Sequence, residues 1–148
     1  MTKPQYKKEH IVTSVVAVIV DEQERVLLTK RSIRPFLGMW VMPGGTINLG
    51  EPILRALQRE VDEEVGLDVE VGDLIDVFEH VTPGEDTCHY IILFYRCRPL
   101  QSTVTYNPQE VLEAAWVPRH ELVRYQMPEG TRHILGKLFP ELTAAAPG

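Results

Sequence analysis

The sequence predicts an α/β fold in which a mixed β-sheet lies between two layers of helices. Two stretches are rich in β-branched or aromatic residues and apolar on both faces, as strands inside a sheet are: Ile11–Val20 and Cys88–Arg98. One amphipathic helical pattern stands between them, and two further helical segments follow the second stretch. Strands interleaved with helices in this way favour a three-layer α/β/α arrangement.

The first half of the chain is predicted to begin with a hairpin. Ile11–Val20 is its first strand, Asp21–Glu24 is a polar turn, and Arg25–Lys30 returns as the second strand. The segment that follows ends in Gly44 and Gly45, which allow the backbone to approach a ligand closely.

A helix over Pro52–Gly66 is bracketed by its end residues. Pro52 suits the first helical position, where its missing N–H costs nothing, and Gly66 suits the left-handed residue after the last turn. An apolar stripe with steps of three and four residues predicts the face that packs on the core: Leu54, Leu57, Val61 and Val65.

Three carboxylates share one arc of the polar face of this helix. At about 100° per residue, Glu63 and Glu64 lie about 60° and 40° to either side of Glu60. Like charges this close repel, and a cation would remove the repulsion. Oxygen ligands without cysteine or histidine partners favour Mg²⁺ or Mn²⁺. The alternative, a solvated acidic face paired with helix arginines, is disfavoured by the glycine loop before the helix and by Glu51 at its start.

The second half of the chain is predicted to contain three more strands: Asp68–Glu79 with an interruption at Gly72, Cys88–Arg98, and Glu113–Pro118. A helix begins at each of Pro118 and Pro128, and the last one directs Ile134, Leu135 and Leu138 to the core. Cys88 and Cys97 lack CxxC spacing, which favours two reduced thiols over a metal site or a bridge.

Length and composition predict a single domain over residues 1–148, with flexible ends at about 1–9 and 143–148. The net charge of −6 argues against a non-specific nucleic-acid binder, which would carry a basic patch. No apolar run approaches the ~20 residues of a membrane span, and the first residues lack the apolar segment of a signal peptide. We therefore expect a cytoplasmic protein without a nucleic-acid or membrane partner.

Residues Gly45–Leu67 resemble the Nudix box. Its pattern, G-x5-E-x7-R-E-U-x-E-E-x-G-U with U a bulky aliphatic residue, is matched at all nine fixed positions: Gly45, Glu51, Arg59, Glu60, Val61, Glu63, Glu64, Gly66 and Leu67. The resemblance implies a single Nudix hydrolase domain with the Nudix fold, a mixed sheet sandwiched between helices with the box helix on one side.

The resemblance also implies the reaction. Enzymes with this box hydrolyse a nucleoside diphosphate linked to a further group, by attack of water at phosphorus. Mg²⁺ (or Mn²⁺) held by Glu60, Glu63 and Glu64, with the carbonyl of Gly44 as a further ligand, would neutralise the diphosphate and activate the water. Glu63 and Glu64 are thus candidate catalytic residues as well as metal ligands.

Residues around these ligands complete the predicted machinery. Arg59 is expected to orient Glu51 or Glu63, because it lies one residue off the ligand arc. In this superfamily a carboxylate outside the box often serves as base or extra ligand. Glu110 is the first candidate for that role and Glu79 the second, and a plain surface position is the alternative for each.

Substrate-binding candidates flank the box. Arg31 and Arg34 stand just before the glycine loop, and arginine suits forked phosphate bonding, although plain surface charge is the alternative. Gly45 allows the backbone near the ligand, and Tyr90 belongs to the second central strand. Pro83 lies 16 residues past the box, as a proline tends to do in ADP-ribose pyrophosphatases.

The chain also resembles GDP-mannose mannosyl hydrolase in KRSIRPFLGMWVMPGG and CHYIILFYRCR. That enzyme departs from the ordinary box, cleaves at sugar carbon and uses a histidine as base. In this chain Pro128 or Glu129 stands where the histidine would fall, and the box is intact. Cleavage at phosphorus is therefore favoured.

Three functions follow, in order of preference. The first is Mg²⁺-dependent hydrolysis of a nucleotide sugar such as ADP-ribose. The second is a house-cleaning hydrolase of oxidised or non-standard nucleoside triphosphates. The third is a non-catalytic nucleotide sensor, which is disfavoured because such modules lose box carboxylates and none is missing here. The expected partner is a small-molecule nucleotide, and a homodimer stays open because dimers are common among the resembled groups.

Overall fold

The computed structural model describes residues 10–34, 36–84 and 87–144, which form seven strands and four helical segments. The strands are β1 (Ile11–Ile19), β2 (Arg25–Arg31), β3 (Trp40–Val41), β4 (Gly44–Thr46), β5 (Val69–Thr82), β6 (Cys88–Pro99) and β7 (Val111–Pro118). The helices are α1 (Ile53–Val65), a 3₁₀ helix (Arg119–Arg124), α2 (Glu129–Leu138) and α3 (Glu141–Ala144). Within the described residues, none of these helices has both the length and the apolar character to cross a membrane.

The strands form two sheets. A mixed sheet has the order β4-β1-β6-β5, in which β6 is parallel to β1 and antiparallel to β5. An antiparallel sheet has the order β3-β2-β7. The predicted α/β class with a mixed sheet packed against helices is confirmed. The sequence did not predict that the strands divide into two sheets.

The predicted hairpin of β1 and β2 is wrong. The two strands meet only at an isolated bridge between Val20 and Val26, and β2 pairs with β3 and β7. The turn between them directs the chain out of the mixed sheet. The carboxylate of Asp21 accepts the backbone N–H of Arg25 at 2.8 Å, and Glu24 has a left-handed φ of 57°. The polar turn was predicted correctly, but it connects two sheets.

Helix α1 ends as predicted and begins one residue later than predicted. Pro52 precedes it in an extended conformation, and Gly66 ends it with a left-handed φ of 64°, donating its N–H to the Asp62 carbonyl at 3.0 Å. The predicted apolar stripe is wrong at Leu54, whose residue surface is 48% exposed. Ala56 is fully buried in its place, because the small side chain allows the first turns to lie close to the sheet.

Helices cover both faces of the mixed sheet. Along β1, alternate side chains enter different clusters, as the two-residue period of a strand requires. Val15, Ala17 and Ile19 pack with the buried residues of α1, whereas Val18 and Val20 pack with Ile134 and Leu135 of α2. The sheet therefore lies between α1 and α2, which is the three-layer arrangement that the sequence predicts.

Several predicted ends shift by a few residues. β5 continues to Thr82, and the predicted interruption at Gly72 is a register irregularity within a continuous strand. A 3₁₀ helix and α2 follow Pro118 and Pro128 as predicted, whereas α3 was not predicted and overlaps the expected flexible end. Residues 1–9 and 145–148, the rest of the predicted flexible ends, lie outside the described residues.

The two cysteines are both free thiols, as predicted. Cys97 is 2% exposed, and burial raises the pKa of its thiol to about 12. Cys88 is partly buried at the start of β6. No disulfide therefore constrains this strand.

Candidate active site

Two box carboxylates lie inside the protein, against the glycine strand β4. Glu60 and Glu64 are 3% and 9% exposed. The N–H of Gly44 donates to Glu64 Oε2 at 3.2 Å, and a Cβ built on Gly45 would lie 2.5 Å from the carboxyl carbon of Glu60. The two glycines therefore leave the space that the carboxylates occupy. The sequence predicted all three acids on the polar face of the helix. In the structure two of them, Glu60 and Glu64, face the sheet.

Arg59 connects four groups around these carboxylates. Its Nε and Nη2 donate to the two oxygens of Glu51 at 2.7 and 2.9 Å, the forked geometry that suits arginine. Its Nη1 donates to Glu60 Oε1 at 2.9 Å and lies 3.3 Å from Glu63. Its Nη2 also donates to the carbonyl of Thr46 at 3.0 Å. The side chain thus ties the start of α1, the middle of α1 and the glycine strand together.

Glu51 is held as a carboxylate. The hydrogen bonds from Arg59, and then the backbone N–H of Asn48 at 3.1 Å, lower the pKa of Glu51 to about 2. The same pairing, led by the Glu51 hydrogen bond, raises the pKa of Arg59. A carboxylate with such a low pKa is a poor proton acceptor near neutral pH. The geometry therefore indicates that Glu51 positions Arg59, whereas the sequence analysis expected Arg59 to orient Glu51 or Glu63.

The donor set fits a hard divalent cation. Glu60, Glu63 and Glu64 offer carboxylate oxygens next to the glycine backbone, and Mg²⁺ prefers such ligands. Among the residues that the structure describes, no three acidic, histidine or cysteine side chains already converge as a metal cluster. The side chain of Glu63 is 43% exposed and lies against Arg59. Gathering the third carboxylate requires Glu63 to turn away from that arginine.

The loop that carries Glu110 is attached to the end of α1. Asn107 donates its N–H to the Glu64 carbonyl at 3.1 Å, and Glu110 donates its N–H to the Asn107 carbonyl at 3.0 Å. The Ser32 hydroxyl donates to the Glu110 carbonyl at 2.9 Å. Glu110 therefore stands between the helix end that bears Glu64 and the segment after β2, and one of its carboxylate oxygens is shielded from solvent.

Glu79, the second candidate base, is not brought to the box. It lies on β5, separated from β4 by β1 and β6, and strands are spaced about 4.8 Å apart. Its Oε2 lies 2.6 Å from His89 Nε2, and its side chain is 61% exposed. Of the two acids outside the box, the geometry favours Glu110.

The predicted substrate contacts lie in two places. Arg31 ends β2, where the strand's alternation puts it on the face of Leu27, which packs with α1. Arg34 is exposed in the loop that follows. Tyr90 lies on the other face of the mixed sheet, with its ring centroid 6.4 Å from that of His80. Arg31 and the box are therefore on one side of the molecule, and Tyr90 is on the other.

Sequence reasoning missed three contributors to this site. The carbonyl of Thr46, the N–H of Asn107 and the hydroxyl of Ser32 hold the arginine and the loop in place. Two of these are backbone groups, which every residue carries, so no side-chain pattern signals them. Ser32 lies between Arg31 and Arg34, the predicted phosphate contacts, but the residue to which it bonds, Glu110, is 78 residues away.

Comparison with known proteins identifies the domain. A family model described as the NUDIX domain matches residues 10–140. The 8-oxo-dGDP phosphatase NUDT18 of Homo sapiens is 35% identical over 119 residues, which are 80% of this chain and 36% of that protein. The chain thus spans about a third of the length of that relative.

Two further matches bear on activity and fold. The ADP-ribose pyrophosphatase of Methanocaldococcus jannaschii is 35% identical over 74 residues, 50% of this chain and 43% of that protein. The crystal structure of a MutT NUDIX hydrolase from Burkholderia pseudomallei superposes with a TM-score of 0.78 at 27% identity. The superposition covers 88% of this chain and 99% of the other.

Proposed function

The chain belongs to the Nudix family, and we propose that it hydrolyses a nucleoside diphosphate linked to another group by attack of water at phosphorus. The observation that carries this proposal is the pair of buried carboxylates, Glu60 and Glu64, packed against two glycines. Burying two neighbouring acids is costly. Arg59 bonds Glu60 and the Gly44 N–H bonds Glu64, and a divalent cation between the two acids would compensate their remaining charge.

The chain's own residues have separate tasks in this reaction. Glu60, Glu63 and Glu64 would hold Mg²⁺ or Mn²⁺ together with the Gly44 carbonyl, and the ion would supply charge neutralisation and a more acidic water. Arg59, fixed by Glu51 and the Thr46 carbonyl, keeps the Glu60 carboxylate in place.

Gly45 at the start of the box and residues outside the box are assigned to substrate binding and proton transfer. Arg31 binds a phosphate from the box side, and Gly45 allows the diphosphate close to the backbone. Tyr90 lies on the opposite face of the mixed sheet and is not assigned a contact to this substrate. Glu110 accepts the proton of the attacking water or adds a ligand, because its loop is bonded to the Glu64 turn.

Two substrate classes have support. A nucleotide sugar such as ADP-ribose is the first candidate, and a relative named ADP-ribose pyrophosphatase supports it over half of the chain. An oxidised nucleotide is the second, and the longer match to a protein named 8-oxo-dGDP phosphatase favours it. Both contain a diphosphate beside a nucleoside, which is the part that a metal and Arg31 would recognise. A non-catalytic sensor ranks behind both, because all box carboxylates are present.

A product analysis tests the reaction. The protein is incubated with Mg²⁺ and, separately, ADP-ribose, 8-oxo-dGDP and 8-oxo-dGTP in ¹⁸O-labelled water, and phosphorus products are followed by ³¹P NMR. We expect label on a phosphate. ADP-ribose would yield AMP and ribose 5-phosphate, 8-oxo-dGDP a monophosphate and phosphate, and 8-oxo-dGTP a monophosphate and pyrophosphate. Phosphorus products without label, with the label found on the sugar by mass spectrometry, would exclude attack at phosphorus.

A matched pair of variants ties the activity to the box. Glu64→Gln keeps the shape of the side chain and removes its charge, so we expect turnover to fall by about 10²-fold or more with the fold retained. Glu22→Gln makes the same change at an exposed acid in the turn between the sheets and should leave turnover unchanged. Full activity in Glu64→Gln would exclude the metal assignment.

We further propose that the chain forms a homodimer through an apolar row on β5. Leu74, Val77 and Val81 are 46%, 46% and 49% exposed on the outer strand of the mixed sheet, on the same face as α1. Ile11 extends the row, since it and Val81 both pair with His89. Patches of this kind on an outer strand often form interfaces, and identical rows are self-complementary about a two-fold axis.

Charge favours a second copy as the occupant of this row. Glu79, the acid that lies between Val77 and Val81 on this face, has its Oε2 2.6 Å from His89 Nε2 of the same chain, so it would repel a second copy little. Val77→Glu should convert a dimer to a monomer in light scattering after gel filtration, whereas Leu100→Glu, on another exposed apolar residue, should not. A wild-type monomer at high concentration would exclude this interface.

Two remaining proposals concern the kind of molecule that is bound and the location of the protein. The net charge of −6 favours a small nucleotide over a nucleic acid as the bound species. A cytoplasmic location is favoured by the free thiols of Cys88 and Cys97, because oxidising compartments commonly pair cysteines.

A further inference from the structure

A loop with exposed apolar side chains follows β2. We call residues 32–34 and 36–38 the apolar loop. Its large apolar members, Ile33, Phe36 and Leu37, are 49%, 47% and 53% exposed. The neck of the loop is closed by two backbone bonds, from the Arg31 N–H to the Met39 carbonyl and from the Gly38 N–H to the Arg31 carbonyl, both at 2.9 Å. The loop thus holds apolar surface in water on a closed base.

Phe36 is held in an unfavourable backbone conformation. Its φ of 66° lies in the left-handed region, which a bulky residue rarely adopts. Among the described residues, Glu24 in the turn between the sheets is the other non-glycine with positive φ. The Phe36 carbonyl accepts the Met39 N–H at 2.9 Å, which fixes the residue in the turn. Strain of this kind is concentrated at ligand-binding positions.

The apolar loop is connected to the candidate active site. The Ser32 hydroxyl donates to the Glu110 carbonyl, and the Glu110 segment is bonded through Asn107 to the Glu64 carbonyl. Arg31, the proposed phosphate contact, forms the neck of the same loop. A diphosphate bound at Arg31 would therefore bring the groups on either side of it near the loop.

We propose that Phe36 stacks on the nucleobase of the substrate, with Ile33 and Leu37 as its apolar rim. The inference rests on the proposed function, since it takes the ligand to be a nucleotide. Every nucleobase has a planar π-face, and an exposed aromatic ring held in a fixed orientation offers a surface for it at a low entropy cost. The left-handed conformation of Phe36 and the bond from its carbonyl to the Met39 N–H fix the backbone from which the ring projects.

Binding of a nucleotide and of its base-free counterpart isolates the stacking. AMP, GMP and ribose 5-phosphate are titrated into the intact protein with Mg²⁺ by calorimetry. In Phe36→Ala we expect the Kd of the tighter of the two nucleotides to rise about 5- to 150-fold, the range for one base–aromatic stack. The Kd of ribose 5-phosphate should change less than about twofold. Phe36→Trp should restore nucleotide binding, and Val123→Ala, at an exposed apolar residue of the 3₁₀ helix, should change neither.

A glycine variant separates the ring from the strain. Phe36→Gly removes the ring but tolerates positive φ. It should lose as much nucleotide affinity as Phe36→Ala, and its melting temperature should be about 3 °C higher than that of Phe36→Ala. An equal melting temperature would show that the left-handed conformation is absent in solution, which would overturn the fixed orientation.

The outcomes separate this inference from the proposed function. Unchanged nucleotide affinity in Phe36→Ala, with a wild-type protein that hydrolyses nucleotides, overturns the stacking alone. An equal loss for nucleotide and ribose 5-phosphate also overturns it, because the loop then supports the phosphate site. Base-dependent binding through Phe36 without hydrolysis overturns the proposed function alone. A wild-type protein that neither binds nor hydrolyses nucleotides overturns both.

Discussion

Replacing Gly45 with alanine should remove activity while leaving the protein folded. A Cβ at this position would lie 2.5 Å from the carboxyl carbon of Glu60 and 2.6 Å from both of its oxygens. Ordinary van der Waals contact begins at 3.4 Å, so the carboxylate must retreat by about 0.9 Å. Glu60 is 3% exposed and bonded to Arg59 at 2.9 Å, so little space is available for that retreat.

The displacement is large for catalysis and small for stability. Metal–ligand distances are fixed to about 0.2 Å, and a misplacement of about 1 Å can lower a rate about 10²-fold. We therefore expect Mg²⁺ affinity and turnover to fall by about that factor. The colliding atoms are the end of a flexible side chain, so the unfolding free energy should fall by only about 1 kcal/mol.

Two neighbouring glycines provide the controls, with Mg²⁺ titrations, steady-state kinetics and urea unfolding as assays. A Cβ on Gly44 would lie 2.4 Å from the Val15 carbonyl oxygen and 2.7 Å from the Val16 Cα, so Gly44→Ala should destabilise the fold by about 3 kcal/mol. Gly50 has a φ of 83° and open space around it, so Gly50→Ala should cost about 1 kcal/mol and leave Mg²⁺ affinity intact. A folded Gly45→Ala protein with unaltered Mg²⁺ affinity and turnover would refute the packing of Glu60 on Gly45 as the basis of the site.

Three further predictions concern stability and reactivity. The pKa of Glu51 is about 2 when folded and 4.5 when free, so its stabilisation is complete above pH about 4.5 and is lost as the pH falls toward 2. Urea unfolding of Glu51→Gln against the wild type should show a difference that disappears over that window, and a pH-independent difference would contradict the assignment. Cys88 should react with iodoacetamide in the native protein and Cys97 only after unfolding, because Cys97 is 2% exposed and burial raises its pKa to about 12. Native modification of Cys97, read by mass spectrometry, would be the contrary result. Gly66→Ala should lower the unfolding free energy by about 1 kcal/mol because of the φ of 64°, and Gly66→Asn by less; equal losses would argue against the left-handed helix end.

Local chemistry explains why the box helix could be predicted almost to the residue. Pro52 and Gly66 mark its ends through their own conformational preferences, which act without help from distant parts of the chain. The strands β1 and β6 were recognisable for a similar reason, because residues buried on both faces must be apolar on both. Leu54 was wrongly predicted to be buried. Periodicity predicts which face of the helix is apolar, but it does not predict how far the sheet beneath that face extends.

Strand pairing could not be predicted, because partners are chosen by contacts far along the chain. β1 and β2 are separated by a short turn, which is the usual signature of a hairpin. In the structure β1 pairs in parallel with β6 from Ile11–His89 to Ile19–Cys97, and β2 pairs with β7. Both partners lie more than 70 residues away. The choice of strand partners depends on which pairing buries the apolar faces of all layers together. A local sequence pattern contains no information about that.

The candidate site was predicted as a list of residues, and the structure supplies the reason for their spacing. Gly45 and Glu60 are in direct packing contact, since the absent Cβ leaves the position that the carboxylate fills. Gly44 offers its N–H to Glu64, and Arg59 connects Glu51, Glu60 and Glu63. A larger residue in the glycine strand would expel a buried acid, and without Arg59 the acids would repel one another in a poorly solvated space. The glycines, the arginine and the glutamates are therefore one packing unit, so a change at any of them should be felt at the carboxylates that are expected to hold the metal.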